Sequence, residues 1–279
     1  MKYKIVVDSC CELPQDFKKD ERFEIVPLTL IVGDQYEKED NMEFNQREFL
    51  DAVAACPTCP KSACPSPERY REAYVTSAEH VYVVTLSSKL SGSHNSAVLG
   101  KDLYHEKYGE KAIYVIDSRS ASCGETQIVC QIMELEEQGL PFAEITERIE
   151  QFVKGMNTYF VLENLDTLRK NGRLSGVKAL VASTLNIKPV MGADDGSIIQ
   201  LGQGIGMKKA LTKMADTAIE EAVDSENKRL MITHCNNPKA AECVCRHIEE
   251  KRRFKETLIL DTAGVSSMYA NEGGVIVTI

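Results

Sequence analysis

The chain has 279 residues, 43% of them hydrophobic and 27% charged, with a formal net charge of -9. An acidic chain repels the phosphate backbone of nucleic acid and an anionic lipid surface, and it holds no run of about 18 uncharged apolar residues that would span a membrane. The opening Met1-Lys2-Tyr3-Lys4 lacks the apolar core and cleavage site of a secretory leader, and the ten cysteines are spread too thinly for a disulfide-stapled secreted domain; a cytoplasmic protein with reduced thiols is expected.

In chain order, Tyr3 to Val7, Phe23 to Val32, Val81 to Leu86 and Ala112 to Ile116 read as strands with helical segments between them. Alternating strands and helices predict a parallel sheet. Three of these strands end in the same chemistry: Asp8-Ser9, Ser87-Ser88 and Asp117-Ser118. A parallel sheet brings its carboxyl ends to one edge, where open α/β sheets bind ligands. Helical spacing of Phe142, Ile145, Ile149, Phe152 and Val153 predicts an amphipathic helix after Pro141, with the domain boundary near its end. The expected division is an N-terminal α/β domain over 1–155 and a C-terminal α/β domain over 156–279. In the second, Thr158 to Leu162 reads as strand, Asn164 to Lys170 and Val177 to Ser183 as helices. Asp195-Gly196 between apolar runs predicts a hairpin and hence antiparallel pairing. Helix (Met207 to Val223), strand (Lys228 to Thr233), helix (Pro238 to Lys251) and strands at Leu258 to Asp261 and Val275 to Ile279 complete the chain.

Ser87 to Ala97, Ser-Ser-Lys-Leu-Ser-Gly-Ser-His-Asn-Ser-Ala, is the most informative stretch. A strand opening into hydroxyls and then a helix N-terminus offers donors to a small anion. Ser91 and Ser93 are read as such donors. As nucleophiles they lack a Gly-x-Ser-x-Gly elbow and a convincing base. The segment 56–67 carries four prolines and Cys56, Cys59 and Cys64. It is read as a stiff irregular loop or ligand wall, with a three-thiolate zinc or redox site as the alternative. Gly202 to Gly206 has no Gly-Lys-Ser/Thr ending and is not a P-loop. Gly172-Arg173 is read as a helix stop, with Arg173 structural or paired with a carboxylate.

Together these motifs resemble the DegV family of bacterial fatty-acid-binding proteins over essentially the full length. The resemblance rests on Asp8-Ser9 with Leu13-Pro14, Val26-Pro27-Leu28, the Ser87 to Ala97 loop, Asp117-Ser118, Gly172 to Ser175, Ile187 to Pro189 and Asp195-Gly196. It implies two α/β domains, the first with a parallel and the second with an antiparallel sheet, and a tunnel between them for a long-chain fatty acid such as palmitate. It also implies no catalytic residues, no metal and no cofactor beyond the lipid. The family's Thr-Ser-Gln-Pro loop matches Ser62-Ala63-Cys64-Pro65 and its Ser-Gly-Thr loop matches Ser91, Gly92 and Ser93, so Ser62, Ser91, Gly92 and Ser93 are the implied head-group contacts, with Tyr269 a lesser one. Some members present the acyl group to a partner kinase with a His and an Arg. Here Tyr269 and Ile205 stand at those places. A phosphoryl-transfer role, from the likeness of the first domain to a dihydroxyacetone kinase domain, is a further alternative, without a visible nucleotide site.

Overall fold

The computed structural model describes residues 1–175, 177 and 186–279. The first half runs β1 (Tyr3–Asp8), α1 (Gln15–Lys18), β2 (Phe23–Val26), β3 (Thr29–Val32), β4 (Tyr36–Glu39), α2 (Gln46–Ala55), β5 (Lys61–Ala63), α3 (Pro67–Ala73), β6 (His80–Thr85), α4 (Ser93–Tyr108), β7 (Ala112–Asp117), α5 (Cys123–Glu137) and α6 (Phe142–Gly155). The second half runs β8 (Thr158–Val161), α7 (Asp166–Lys170), β9 (Ile187–Asp194), β10 (Ser197–Ile205), α8 (Gly206–Glu221), β11 (Arg229–His234), α9 (Pro238–Glu249), β12 (Glu256–Asp261), α10 (Gly264–Ala270) and β13 (Val275–Thr278). The helix expected over Val177 to Ser183 falls outside the described residues apart from Val177.

Strands β2, β1, β6 and β7 form a parallel sheet in that order, as alternation predicts. The expected strand from Phe23 to Val32 is instead two. Pro27 has no N–H to give a ladder, so β2 pairs parallel with β1, and β3 leaves to build a small antiparallel sheet with β4 and β5. The loop over 56–67 is thus less irregular than expected: Lys61–Ala63, between Pro60 and Pro65, is an edge strand of that sheet.

The second-half sheet has the order β10-β9-β8-β13-β11-β12. It is mixed rather than wholly antiparallel, because β11 and β12 pair in parallel around α9. The Asp195-Gly196 hairpin forms with φ of 46° and 79° at its two central residues, the positive values a tight hairpin demands. The segment before Met207 is strand β10 running into α8, not a phosphate cradle; Gly204 lies so close to Ala210 that a Cβ there would meet its backbone nitrogen at 2.3 Å.

Helix α6 buries Ile145, Ile149 and Val153 at helical spacing, as read from the sequence. Helix α5 is buried on nearly every side, the pattern of a helix sandwiched between layers. It packs on β6 and α6 on one side and on β11 and β13 on the other. Gln127 Nε2 donates to the carbonyls of Arg229 and Thr278 at 2.9 and 3.2 Å. This one helix therefore ties the two sheets together.

Candidate functional site

The three polar strand ends of the parallel sheet meet, and they bind one another. Asp8 Oδ2 accepts from the Leu86 N–H at 3.0 Å and from the Ser93 hydroxyl at 2.6 Å, while Oδ1 accepts from the Cys10 N–H at 3.1 Å. Asp117 accepts from the Ser88 N–H at 3.1 Å. Ser87 reaches across to the other sheet, its hydroxyl donating to the Gly196 carbonyl at 2.8 Å.

Where this edge faces β8, β9 and β10, the side chains do not fill the space. A cavity remains between them. Its first-half wall is Cys10, Leu86, Leu90 and the turn Arg119 to Ser122. Its second-half wall is Thr158 and Phe160 from β8, Leu162 just past its end, Ile198 from β10, Leu168 from α7, and Val265, Ser266 and Tyr269 from α10. The lining is overwhelmingly apolar. Its hydroxyls are largely taken: Ser120 pairs with Thr158 at 2.7 Å and Ser122 with Thr233 at 2.8 Å.

An open polar cleft adjoins the cavity, lined by Ser88 to Gly92, His94, Asn95 and Asn171 to Arg173; the two share Leu90 and Arg173. The cleft lies at the N-terminus of α4, whose first N–H groups favour negative charge. Arg173 Nε donates to the Leu90 carbonyl at 3.1 Å, and its guanidinium lies 5.9 Å from the centre of the Tyr269 ring. The sequence reading favoured a structural role for this arginine, and the geometry adds a cation at the junction of cavity and cleft.

Of the residues singled out from sequence, Ser91 and Gly92 line the cleft and Tyr269 lines the cavity. Ser62, on β5, lies beside Tyr269, whose phenol is pushed up by burial. The two loops touch: a Cβ on Gly92 would lie 3.1 Å from Cys64 Sγ. Ser93 is the exception. It is wholly buried, gives its single proton to Asp8 and takes a 2.6 Å hydrogen bond from the Tyr70 hydroxyl. Its N–H donates to Ser91 Oγ at 3.2 Å, which leaves the Ser91 hydroxyl proton uncommitted. Ser93 holds the serine loop in shape.

The three loop thiols do not gather. Cys56 Sγ lies 3.1 Å from the Thr58 hydroxyl, Cys59 Sγ lies 3.5 Å from the Pro60 carbonyl, and Cys64 is exposed. Among the described residues, no group of three or more His, Cys, Asp or Glu side chains is placed to hold a metal ion.

Sequence reading missed a set of buried carboxyls behind the cavity wall. Burial pushes Glu12 up to about 7 and Asp40 up to about 6. Burial, then the charges of Asp8 and Glu12, hold Glu125 well above the carboxylate range. Neither Glu125 oxygen, nor Glu12 Oε2, meets a hydrogen-bond partner among the described residues. An acid so placed is cheapest when protonated. Nothing local marks Glu12 or Glu125 as buried, since each looks like an ordinary surface glutamate in sequence.

The carboxyl edge of a parallel sheet closing an apolar cavity against a second, mixed sheet defines a two-lobed α/β protein with an internal site for a greasy ligand. The DegV family model matches residues 2–279, and the chain belongs to that family. It is similar to a DegV domain-containing protein of Streptococcus gordonii, 37% identical and covering 99% of this chain and 98% of that one. Among solved structures it is similar to a DegV-family protein from Ruminococcus gnavus refined with vaccenic acid, at TM-score 0.97 and 50% identity, covering 100% of this chain and 99% of that one. It is also similar to the Streptococcus pneumoniae Fatty Acid Kinase (Fak) B3 protein loaded with linoleic acid, at TM-score 0.88 and 33% identity, covering 100% and 99%.

Proposed function

We propose that this protein binds one long-chain fatty acid, with the alkyl chain in the apolar cavity and the carboxylate at its junction with the polar cleft. The observation that carries this reading is the amphiphilic site itself: an apolar cavity and an anion-favouring cleft that share Leu90 and Arg173. The similar proteins refined or loaded with vaccenic and linoleic acid support it. Burial of each methylene contributes about 0.8 kcal/mol, so a palmitate tail supplies on the order of 12 kcal/mol before the entropy cost of association. The tail dominates affinity, and the head needs only orientation.

In this reading Ser91, the Gly92 backbone, Ser62 and Tyr269 surround the carboxylate, Arg173 supplies charge, and Ser93 holds the loop in shape. Neutral hydroxyls and one guanidinium hold a carboxylate without activating it, which suits a carrier rather than a catalyst. The head group then stands at an open cleft where an acyl-activating partner reaches it, and the fatty acid kinase B3 protein is the similar structure that bears on such a partner. The lobes divide near residue 155, and ten free thiols suit a reducing cytoplasm.

Mass spectrometry of the denatured purified protein tests the reading. Release of a stoichiometric acyl chain, or uptake of added palmitate by stripped protein, is the expected result; neither occurring would refute it.

A further inference from the structure

We propose that the protein couples lipid binding to a proton: filling the cavity drives protonation of a cluster of carboxyls buried behind its wall, so the site holds lipid more tightly as the pH falls. The proposal rests on the fatty-acid reading above and concerns the regulation of that same site.

The cluster is Asp8, Glu12, Asp40 and Glu125, all buried. Cys10 and Ser266 line the cavity in front of it, with Cys10 Sγ 3.6 Å from Ser266 Oγ. Asp8 Oδ1 accepts from the Cys10 N–H, and Glu12 Oε1 accepts at 3.1 Å from the N–H of Ala263, three residues before Ser266. Asp40 accepts from the Gly264 and Val265 N–H groups, and Val265 also lines the cavity. Ser122, another wall residue, accepts the Glu125 N–H at its carbonyl at 3.0 Å. Each acid is thus tied to a residue of the wall or to its immediate neighbour.

The titratable groups of this region are Asp8 at the end of β1, Cys10 and Cys11 on the turn after it, Asp40 after β4 and Glu125 on α5. The start of α10 and the turn before α5 face Glu12 with the Ala263 N–H and the hydroxyls of Ser266 and Ser122. What opposes the burial of Asp8, Glu12 and Asp40 is hydroxyls and N–H groups rather than a cation. Glu125, with neither oxygen partnered among the described residues, stays protonated. Glu12, pushed up to about 7, and Asp40, pushed up to about 6, are the members that change charge near neutral pH.

A buried carboxylate is stabilised by whatever high-dielectric medium lies nearest. The cavity meets the open cleft at Leu90 and Arg173, so with no lipid bound solvent reaches the wall in front of the acids. An alkyl chain replaces that solvent with hydrocarbon and raises the cost of charge on the cluster, and the lipid carboxylate adds repulsion in the same direction. The acids therefore hold protons more tightly when lipid is bound. Linkage is reciprocal: protonation tightens lipid binding by the factor by which lipid tightens protonation. That gain is complete below the titration of the empty protein and is lost as the pH rises through the titration of the filled one.

The test measures affinity for hexadecanol, which has no titrating head, and for palmitate between about pH 5 and about pH 8, by competition against a fluorescent fatty alcohol on the full chain. Hexadecanol should bind about tenfold more tightly at the acid end, the counterpart of a tenfold change in proton affinity. Mixing stripped protein with hexadecanol in a lightly buffered solution near neutral pH should take up protons, read with an indicator dye. Glu12→Gln keeps the shape of the protonated acid without a proton to lose, and should reduce the change to about threefold or less; thermal unfolding confirms that it is folded. A hexadecanol affinity that is level across the range in the wild type, without proton uptake, overturns the coupling, and palmitate binding then leaves the fatty-acid reading standing. A folded Glu12→Gln protein that keeps the full change overturns the coupling as well. A wild-type chain that binds neither ligand overturns both.

Discussion

Ser93 donates its hydroxyl proton to Asp8, 85 residues earlier in the chain, at 2.6 Å. That bond decides how the serine loop works. A hydroxyl has one proton to give, so Ser93 is spent on the fold, while the Ser91 hydroxyl proton is uncommitted and, in the proposed reading, is the one that meets the ligand.

The two serines should therefore respond differently to alanine. Ser93→Ala removes the acceptor of Tyr70 and one donor to Asp8, and should destabilise the protein by about 1–3 kcal/mol in urea unfolding. Ser91→Ala should leave stability within about 0.5 kcal/mol while weakening palmitate binding. The reverse pattern would return Ser93 to the head group.

Arg173 should be read by head-group charge. Arg173→Ala should weaken palmitate by about tenfold or more, the range of a charge-assisted hydrogen bond. Hexadecanol, with the same tail and no charge, should lose much less. Equal losses for the acid and the alcohol would make Arg173 a packing residue only.

Glu12 ties stability to pH. Its carboxyl is raised by burial from the ordinary 4.5 to about 7, so the folded state holds a proton that the unfolded chain releases earlier. The stabilisation is complete below the unfolded value and is lost as pH rises through the folded one, on the order of 3 kcal/mol in all. Asp40, raised to about 6, and Glu125 act in the same direction. Unfolding free energy should fall between about pH 5 and about pH 8, and Glu12→Gln should flatten the fall. An unchanged slope in that variant would place the proton elsewhere.

Gly264 opens α10, the helix that carries Ser266 and Tyr269 to the cavity. Asp40 accepts from the Gly264 and Val265 N–H groups at 2.9 and 2.8 Å. A Cβ on Gly264 would lie 2.4 Å from Leu30 Cδ1 and 2.5 Å from Asp40 Oδ1. Gly264→Ala should cost about 1–3 kcal/mol of stability and speed the loss of bound lipid in a transfer assay. Wild-type stability and retention together would show that the helix start yields freely.

The parallel sheet, helix α6 and the Asp195-Gly196 hairpin were legible because periodicity and turn sterics act within a few residues. So was the clustering of the hydroxyl loop with the other strand ends, since parallel pairing forces it. Pro27 carried a signal for the break between β2 and β3 that a reading by apolar run alone passed over. Strand β13 was legible, but its place between β8 and β11 was not, because strand order depends on which edges remain free after the rest has packed.

What the amino acids settled unaided was local and periodic: which segments are strand or helix, where the chain turns, and that hydroxyls stand at a sheet edge. Only the tertiary structure decided which hydroxyl is free, which glutamates are buried, and that a cavity exists at all. Phe160, Leu162 and Ile198 have the composition of any core, and whether such side chains meet or leave space is set by how distant elements dock.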